Sequence, residues 1–348
     1  MALRVTQGAT NRTYLKNLNN SHSKMNESME KIETGRKFSK ISDDVTGATK
    51  CLDLRSKLYR NERNKDNVEG ALEEMQMSET LVTEMKDIVS NVYSDMLRAS
   101  NSHTIESGKE TFLSLLDQSK QELLRLANQK YNDKYLLGGL AVDDEPFKED
   151  ENGYLTIRGE KLADIVNKND IQGPYTDSQE KYYVNGKPVE YTHDNFIDVG
   201  LDMSSKNVTS SSRYNISVDG IMIMGYGETV NENGNSISNN IYDMMTEMEK
   251  AIENADIDRL GELTGNFKNQ FDNMVSGLGE IGVRTKFLDT TLARLENENT
   301  TLLEAKNNVE ATDDTTEITN FKGYQNSWNL ILQFGGNIFP KSLMDYVG

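Results

Sequence analysis

Few residues of this chain are of the types that do chemistry, and none is spaced for it. The three histidines, His22, His103 and His193, fall in an N-terminal helical stretch, an interhelical loop and a turn-rich middle region, a dispersal that suits neither a metal site nor a nucleophile-activating triad. Cys51 is the sole cysteine, so no intrachain disulfide and no cysteine-rich metal site can form, and it reads as a small half-buried residue on a helix. The stretch "KEDENG" places Asp150, Asn152 and Gly153 as a calcium loop would, but Lys148 takes the first ligand position and Gly159 the twelfth. In "GIMIMGYGETVNENG" the glycines lack both the Lys-Ser/Thr ending and the strand-to-helix spacing that cradles phosphate. Asp43 and Asp44 are adjacent carboxylates, yet neighbouring positions at a helix start point about 100° apart. One cap and one favourable charge at the positive helix end account for both. No enzymatic activity, metal or cofactor is expected.

The elements carrying these residues are mostly helices. Apolar residues recur three and four apart, the signature of a helix with one seam turned toward a partner. The first segment reads Leu15, Leu18, His22, Met25, Met29, Ile32; the second runs Val68, Ala71, Met75, Ser78, Val82, Met85, Val89, Val92, Met96, Ala99. A third, roughly 109–134, carries Phe112, Leu115, Leu116, Leu123 and Leu126. Beyond the middle region the pattern returns from Ile237 to Ala255, then restarts at Ile257 and holds its phase to Val309. This last run predicts a helix of about 50 residues, about 75 Å long. After "EATDDTTEI", Asp314 and Glu317 have the spacing of a capping box for a final helix with apolar Phe321, Tyr324, Trp328, Ile331, Leu332, Phe334, Ile338 and Leu343. Residues 315–348 hold only Glu317, Lys322, Lys341 and Asp345 as charges, too few for a helix standing alone in water.

Between about 141 and 236 the period changes. Three of the four prolines lie here, and Asn185-Gly186 and Asp219-Gly220, each flanked by short aromatic or β-branched runs, predict two hairpins. This stretch carries 18 acidic and 8 basic side chains, over half of the chain's net charge of −18, whereas residues 1–40 carry 8 basic and 3 acidic. So acidic a chain is no nucleic-acid binder, since phosphate contacts need concentrated Lys and Arg. No apolar run reaches the ~18 residues of a membrane span, and the N-terminus lacks the apolar core of a secretory signal peptide.

The fold expected is mainly α with a β-rich insert: an elongated coiled-coil-like helical bundle built from the N- and C-terminal segments, plus a small inserted β domain. The expected domains are a terminal helical assembly domain (1–42 and 312–348), a rod (43–140 and 237–311) and an outer insert (141–236). In "TGRKFSKISDD", Gly35 can end one helix and Ser42 or Asp43 can cap the next.

"IETGRKFSKISDDVTGATKCLDLRSKL", residues 32–58, resembles the N-terminal motif of the bacterial flagellin superfamily, with Gly35, Phe38, Asp43, Asp44, Gly47, Ala48 and Leu54-Arg55 in the matching places and Thr34 where Ser is usual. The resemblance covers about 1–147 and 237–348. Within the superfamily, "RVTQG", "LANQKYNDKYLLGGLAVDDEPF", "EIGVRTKFLD" and "NIFPKSLMDYVG" are most similar to the branch at the junction of hook and filament.

That resemblance implies a structural protein of the extracellular flagellum, exported without a cleaved signal peptide. Its implied partners are copies of itself in a ring, flagellin, the first hook-associated protein, an export chaperone and the flagellar type III export apparatus. Nucleic acid and membrane are not among them. The residues expected at the assembly interface are Leu15, Leu18, Met25, Met29, Ile32, Trp328, Ile331, Leu332, Phe334, Ile338 and Leu343, with Gly35, Phe38, Asp43, Asp44 and Gly47 forming the joint. The two tails are expected to be disordered or loosely helical in the monomer, because their thin apolar faces return less than the ordering entropy until neighbours cover them. The alternatives are a flagellin forming the filament itself and a cytoplasmic coiled-coil adaptor.

Overall fold

The computed structural model describes residues 7–100, 102–139, 144–170, 180–190, 192, 194–201, 210–230, 234 and 236–338. They form long helices with small antiparallel sheets between them. In chain order the helices and strands are α1 (Gln7–Thr34), α2 (Val45–Ala99), α3 (Ser102–Ala127), β1 (Lys130–Tyr131), β2 (Lys134–Tyr135), β3 (Phe147–Glu149), β4 (Leu155–Ile157), β5 (Glu160–Lys161), β6 (Val166–Asn167), β7 (Tyr182–Val184), β8 (Lys187–Pro188), β9 (Phe196–Asp198), β10 (Arg213–Asn215), α4 (Gly220–Met224), β11 (Glu228–Val230), β12 (Ser236–Ser238), α5 (Ile241–Glu253), α6 (Ile257–Glu310) and α7 (Asp314–Ile338). The chain packs as two compact units, one drawn from its two ends (Met1–Asn61 and Asn297–Gly348) and one from Glu62–Glu296; α2 and α6 contribute residues to both.

The unit of residues 62–296 holds the hydrophobic core. On α2 two ladders of seven-residue period are buried, Val68, Met75, Val82, Val89, Met96 and Ala71, Ser78, Met85, Val92, Ala99. On α6 the buried ladder is Leu260, Phe267, Met274, Ile281, Leu288, Leu295. A strict seven-residue repeat keeps one stripe of a helix on its partner, and each fully buried side chain of this size contributes about 1.5–3 kcal/mol. Shorter α3 and α5 pack on each other, and the buried Lys120 of α3 reaches Glu249 of α5 at 3.0 Å and Glu149 at 3.6 Å.

The third helix spans Ser102–Ala127 rather than roughly 109–134: it takes in His103, expected in a loop, and it stops early because Asn132 and Asp133 adopt positive φ in the β1–β2 hairpin that follows. The sheets β3-β4-β5, β6-β7-β8, β9-β10 and β11-β12 are all antiparallel. Asn185-Gly186 makes the predicted two-residue turn: Val184 pairs with Lys187, and both turn residues have positive φ, which glycine adopts without strain. Asp219-Gly220 does not make a hairpin. Asp219 instead caps α4, its carboxylate accepting from the Met222 amide at 3.3 Å, and Ile221, Ile223 and Met224 are buried. Three buried side chains in four consecutive positions suit a helical turn better than a strand that alternates faces.

Candidate functional site

The unit built from the chain ends has hardly any core. Its buried apolar side chains among the described residues are Ala48, Cys51 and Leu54. It is held by an antiparallel pair of helices and by a joint below them. In the pair, the Tyr14 hydroxyl occupies the space a Cβ on Gly335 would take, the His22 and Trp328 rings are 5.8 Å apart, and Lys24 Nζ lies 5.9 Å from the centre of the Tyr324 ring. The Ser28 hydroxyl donates to the Glu317 carbonyl at 3.2 Å.

This packing is rotated from the predicted seam. The buried side chains of α1 are Ser21 and Ser28, whereas Leu15, His22 and Met29 are exposed. Small hydroxyls let α7 approach closely, and Ser28 also satisfies its own polar group there. Leu18, Met25 and Ile32 of α1 and Trp328 and Ile331 of α7 are half-buried. Leu15 (49% exposed), Met29, Ile318, Leu330, Leu332 and Phe334 (60%) face solvent. Ile338 closes α7, and Leu343 lies outside the described residues. Beside Tyr14 a groove of about 360 Å³ opens between Ala9, Thr10, Thr13, Asn17, Ile331 and Phe334. Exposed apolar side chains on both helices, with a mainly apolar groove between them, are what a surface awaiting cover looks like.

The joint explains the motif residue by residue. Gly35 ends α1 with φ +65, a conformation that costs other residues strain. Asp43 closes a turn, accepting from the Lys40 amide at 3.0 Å, and that hydrogen bond holds its carboxyl below the usual carboxylate range. The cap of α2 is Asp44 rather than the predicted Ser42 or Asp43: its carboxylate accepts from the Gly47 amide at 2.9 Å. A side chain at position 47 would push the Asp44 cap aside, since a Cβ there would lie 2.2 Å from an Asp44 carboxylate oxygen and 3.0 Å from the half-buried ring of Phe38. At the other end Asp313, not Asp314, caps α7, accepting from the amides of Thr315 and Thr316 and from the Thr316 hydroxyl at 2.7 Å. The predicted box is shifted by one because a threonine hydroxyl, rather than Glu317, closes on the cap.

The two breaks are bonded to each other. The Lys37 amide donates to the Glu310 carbonyl at 2.8 Å, the Thr312 amide to the Gly35 carbonyl at 3.0 Å, and Arg36 and Ala311 form an antiparallel bridge. Lys37 Nζ adds a bond to the Asn308 carbonyl at 3.1 Å. Glu310, at the last position of α6, has a side chain only 8% exposed. Its carboxylate takes Arg36 Nε at 3.0 Å, the Arg55 guanidinium and the Cys51 thiol, with Lys306 Nζ 4.0 Å away. Burial raises its pKa, but the thiol hydrogen bond and the three cations outweigh that and hold it below the ordinary glutamate range. Cys51 is pushed up by its burial and by Glu310, so it stays a thiol that donates. Sequence reasoning missed this cluster. The signal available was that the seam of α6 turns polar at Asn299 and Lys306 and stops at an acidic residue facing a basic "GRK" break.

Residues 6–141 match the family model of the bacterial flagellin N-terminal helical region, from α1 through the β1–β2 hairpin. The match covers well under half of the chain, and over those residues the chain is similar to that helical region. A Vibrio parahaemolyticus protein provisionally described as flagellar hook-associated shares the fold, with a TM-score of 0.56 at 12% identity over 77% of this chain and 100% of that one. FlgL of Bacillus cereus is 17% identical over 71% of this chain and 99% of its own (TM-score 0.40), and FlgL of Xanthomonas campestris 15% identical over 71% and 96% (TM-score 0.44). No curated protein sequence matches the chain significantly. The motif lies wholly within the matched residues, whereas Glu310 and α7 lie outside them. Among the described residues no group of three or more His, Cys, Asp or Glu could hold a metal ion, and no helix is long and apolar enough to cross a membrane.

Proposed function

We propose that this chain is a structural subunit of the bacterial flagellum, a counterpart of flagellar hook-associated protein 3, joining the hook through the first hook-associated protein to the flagellin filament. The observation that carries the reading is the match of residues 6–141 to the flagellin N-terminal helical region, together with a pairing of α1 and α7 that leaves six large apolar side chains in solvent. Residues 1–42 and 312–348 act as the assembly domain, 43–140 and 237–311 as the rod, and 141–236 as an outer insert. The assembly contacts run through Leu15, Met29, Leu332 and Phe334, with the half-buried Leu18, Met25, Ile32, Trp328 and Ile331 completing the apolar faces, and with Ile338 and Leu343 continuing them. The chain works outside the cell after export through the flagellar type III apparatus, with a chaperone holding its C-terminal helix beforehand. The shared fold with a protein described as hook-associated supports this branch.

The test is electron microscopy of flagella from a strain lacking the gene. Hooks without filaments, with monomeric flagellin in the medium, are expected; intact filaments overturn the reading. A flagellin is the second reading, favoured by the family model itself, and pure protein that polymerises without limit would establish it. Recovery of the intact chain from the cell body, and none from sheared flagella, would point to a cytoplasmic adaptor.

A further inference from the structure

We infer that Glu310 is the positioning residue of the terminal helix pair: by gathering Arg36, Arg55 and the Cys51 thiol on one buried carboxylate, it locks the two interhelical breaks to each other and to α2. This rests on the reading of the pair as the assembly element. A pair that must meet neighbours in a fixed direction needs its base held, and the backbone alone supplies few ties. Those are the Lys37 and Thr312 amides crossing between the breaks at 2.8 and 3.0 Å. The side chains add a third segment, because Cys51 and Arg55 come from α2 while Arg36 comes from the break after α1. Lys306, one turn back on α6, completes the charged groups facing the carboxylate. Arg36 and Arg55 are about half exposed, so without the carboxylate their charges turn to solvent, while the buried Cys51 thiol loses its acceptor; what is lost is the side-chain tie that joins the three segments. The ordering of α1 and α7 above the lock is left to neighbouring subunits.

The test is amide exchange of the full-length, unassembled chain. In the wild type the Lys37 and Thr312 amides are expected to be protected while those of residues 10–30 and 318–335 exchange fast. Glu310→Gln keeps the shape and loses the charge; it should speed exchange at Lys37 and Thr312 by about tenfold or more and leave residues 260–274 unchanged. Arg55→Ala should act in the wild type but add almost nothing in the Glu310→Gln background, a coupling that a merely local contact would not show. Cys51→Ser, which retains a donor, should resemble wild type. Unchanged exchange in Glu310→Gln, additive effects of the two variants, or unprotected Lys37 and Thr312 amides in the wild type would each overturn the inference. Because nothing here requires assembly, filaments persisting in a strain lacking the gene would remove the flagellar role and leave this lock standing.

Discussion

Helix α6 belongs to both units, and its two parts treat the same periodicity differently. From Leu260 to Leu295 every seventh residue is buried; from Asn299 the seam continues through Leu302, Lys306 and Val309, yet none of them is fully covered and the next buried side chain is the charged Glu310. Among the described residues the unit of 62–296 buries 49 apolar side chains against 11 large ones exposed, whereas the unit of the chain ends buries 3 against 11 exposed. Periodicity therefore says which face a helix intends to cover, and burial says whether this chain supplies the cover. The buried carboxylates differ in the same way. Glu310 is surrounded by cations and titrates low. Asp243, on α5, is pushed up to about 6, because burial outweighs the Leu155 amide and the Ser238 hydroxyl that bond it.

Stability should then reside in the first of these units, and the largest effect should come from its core. Phe267→Ala removes a fully buried ring from the α6 ladder and is expected to cost about 3–5 kcal/mol in urea unfolding. A loss below about 1 kcal/mol would mean that the ladder is not where the chain's cohesion lies.

Asp243 gives the next effect and a sign to check. A carboxyl with its folded pKa above the unfolded value binds its proton more tightly when folded, so its contribution is fully present below the unfolded pKa and is lost as pH rises through about 6. Asp243→Asn keeps an acceptor for the Leu155 amide and offers a donor to Ser238. The variant should match wild type near pH 4 and exceed it by up to about 3 kcal/mol at pH 7.5. Carboxylates with depressed pKa, such as Asp150 at about 2, pull the other way, so the difference between the two proteins is the quantity to measure. Equal curves at both pH values would show that the site is wetter than its geometry implies.

Much of the long-helix architecture is legible in the sequence because the three-and-four repeat is a direct consequence of helix geometry, and it marks α2, α5 and α6 well. Local chemistry is legible only to within a residue. The caps fall on Asp44 and Asp313 rather than their neighbours, since Asp-Asp pairs offer two equivalent oxygens and only the final turn geometry chooses. Asp219-Gly220 has a hairpin's turn residues, but the burial of Ile221, Ile223 and Met224 by distant parts of the chain makes the stretch a helix. The cluster at Glu310 was not legible, because its members are separated by up to 274 positions, from Arg36 to Glu310, and charge alone does not pair them. The rotation of α1 was hidden for a related reason. Serine at 21 and 28 carries no hydrophobic signal, and only contact with α7 shows that smallness, not apolarity, selects the buried face.

A smaller effect is expected at the cap of α2. Asp44→Ala leaves the Gly47 amide without its acceptor and should cost about 1 kcal/mol, read as faster exchange in residues 45–49 with the rest of α2 unchanged. Should the loss spread along α2, the joint would be a source of the helix's stability and not only its boundary.

The smallest change in stability should come from the variant with the gravest consequence for assembly. Leu15, Met29, Leu332 and Phe334 are exposed, so replacing all four with Ser removes little buried surface from the single chain and should leave its unfolding within about 0.5 kcal/mol of wild type. If neighbours cover these side chains, the same variant loses several apolar contacts at every subunit boundary at once. Junctions should then fail to form in cells while the purified protein keeps its circular dichroism and its unfolding midpoint. A destabilised monomer would mean that the terminal pair already covers itself. Normal junctions with a stable monomer would mean that these four side chains are not the contact, and the half-buried Leu18, Met25 and Ile32 would become the residues to alter next. Only a stable monomer that cannot assemble fits the proposal that the core is finished in one unit and completed by neighbouring copies in the other.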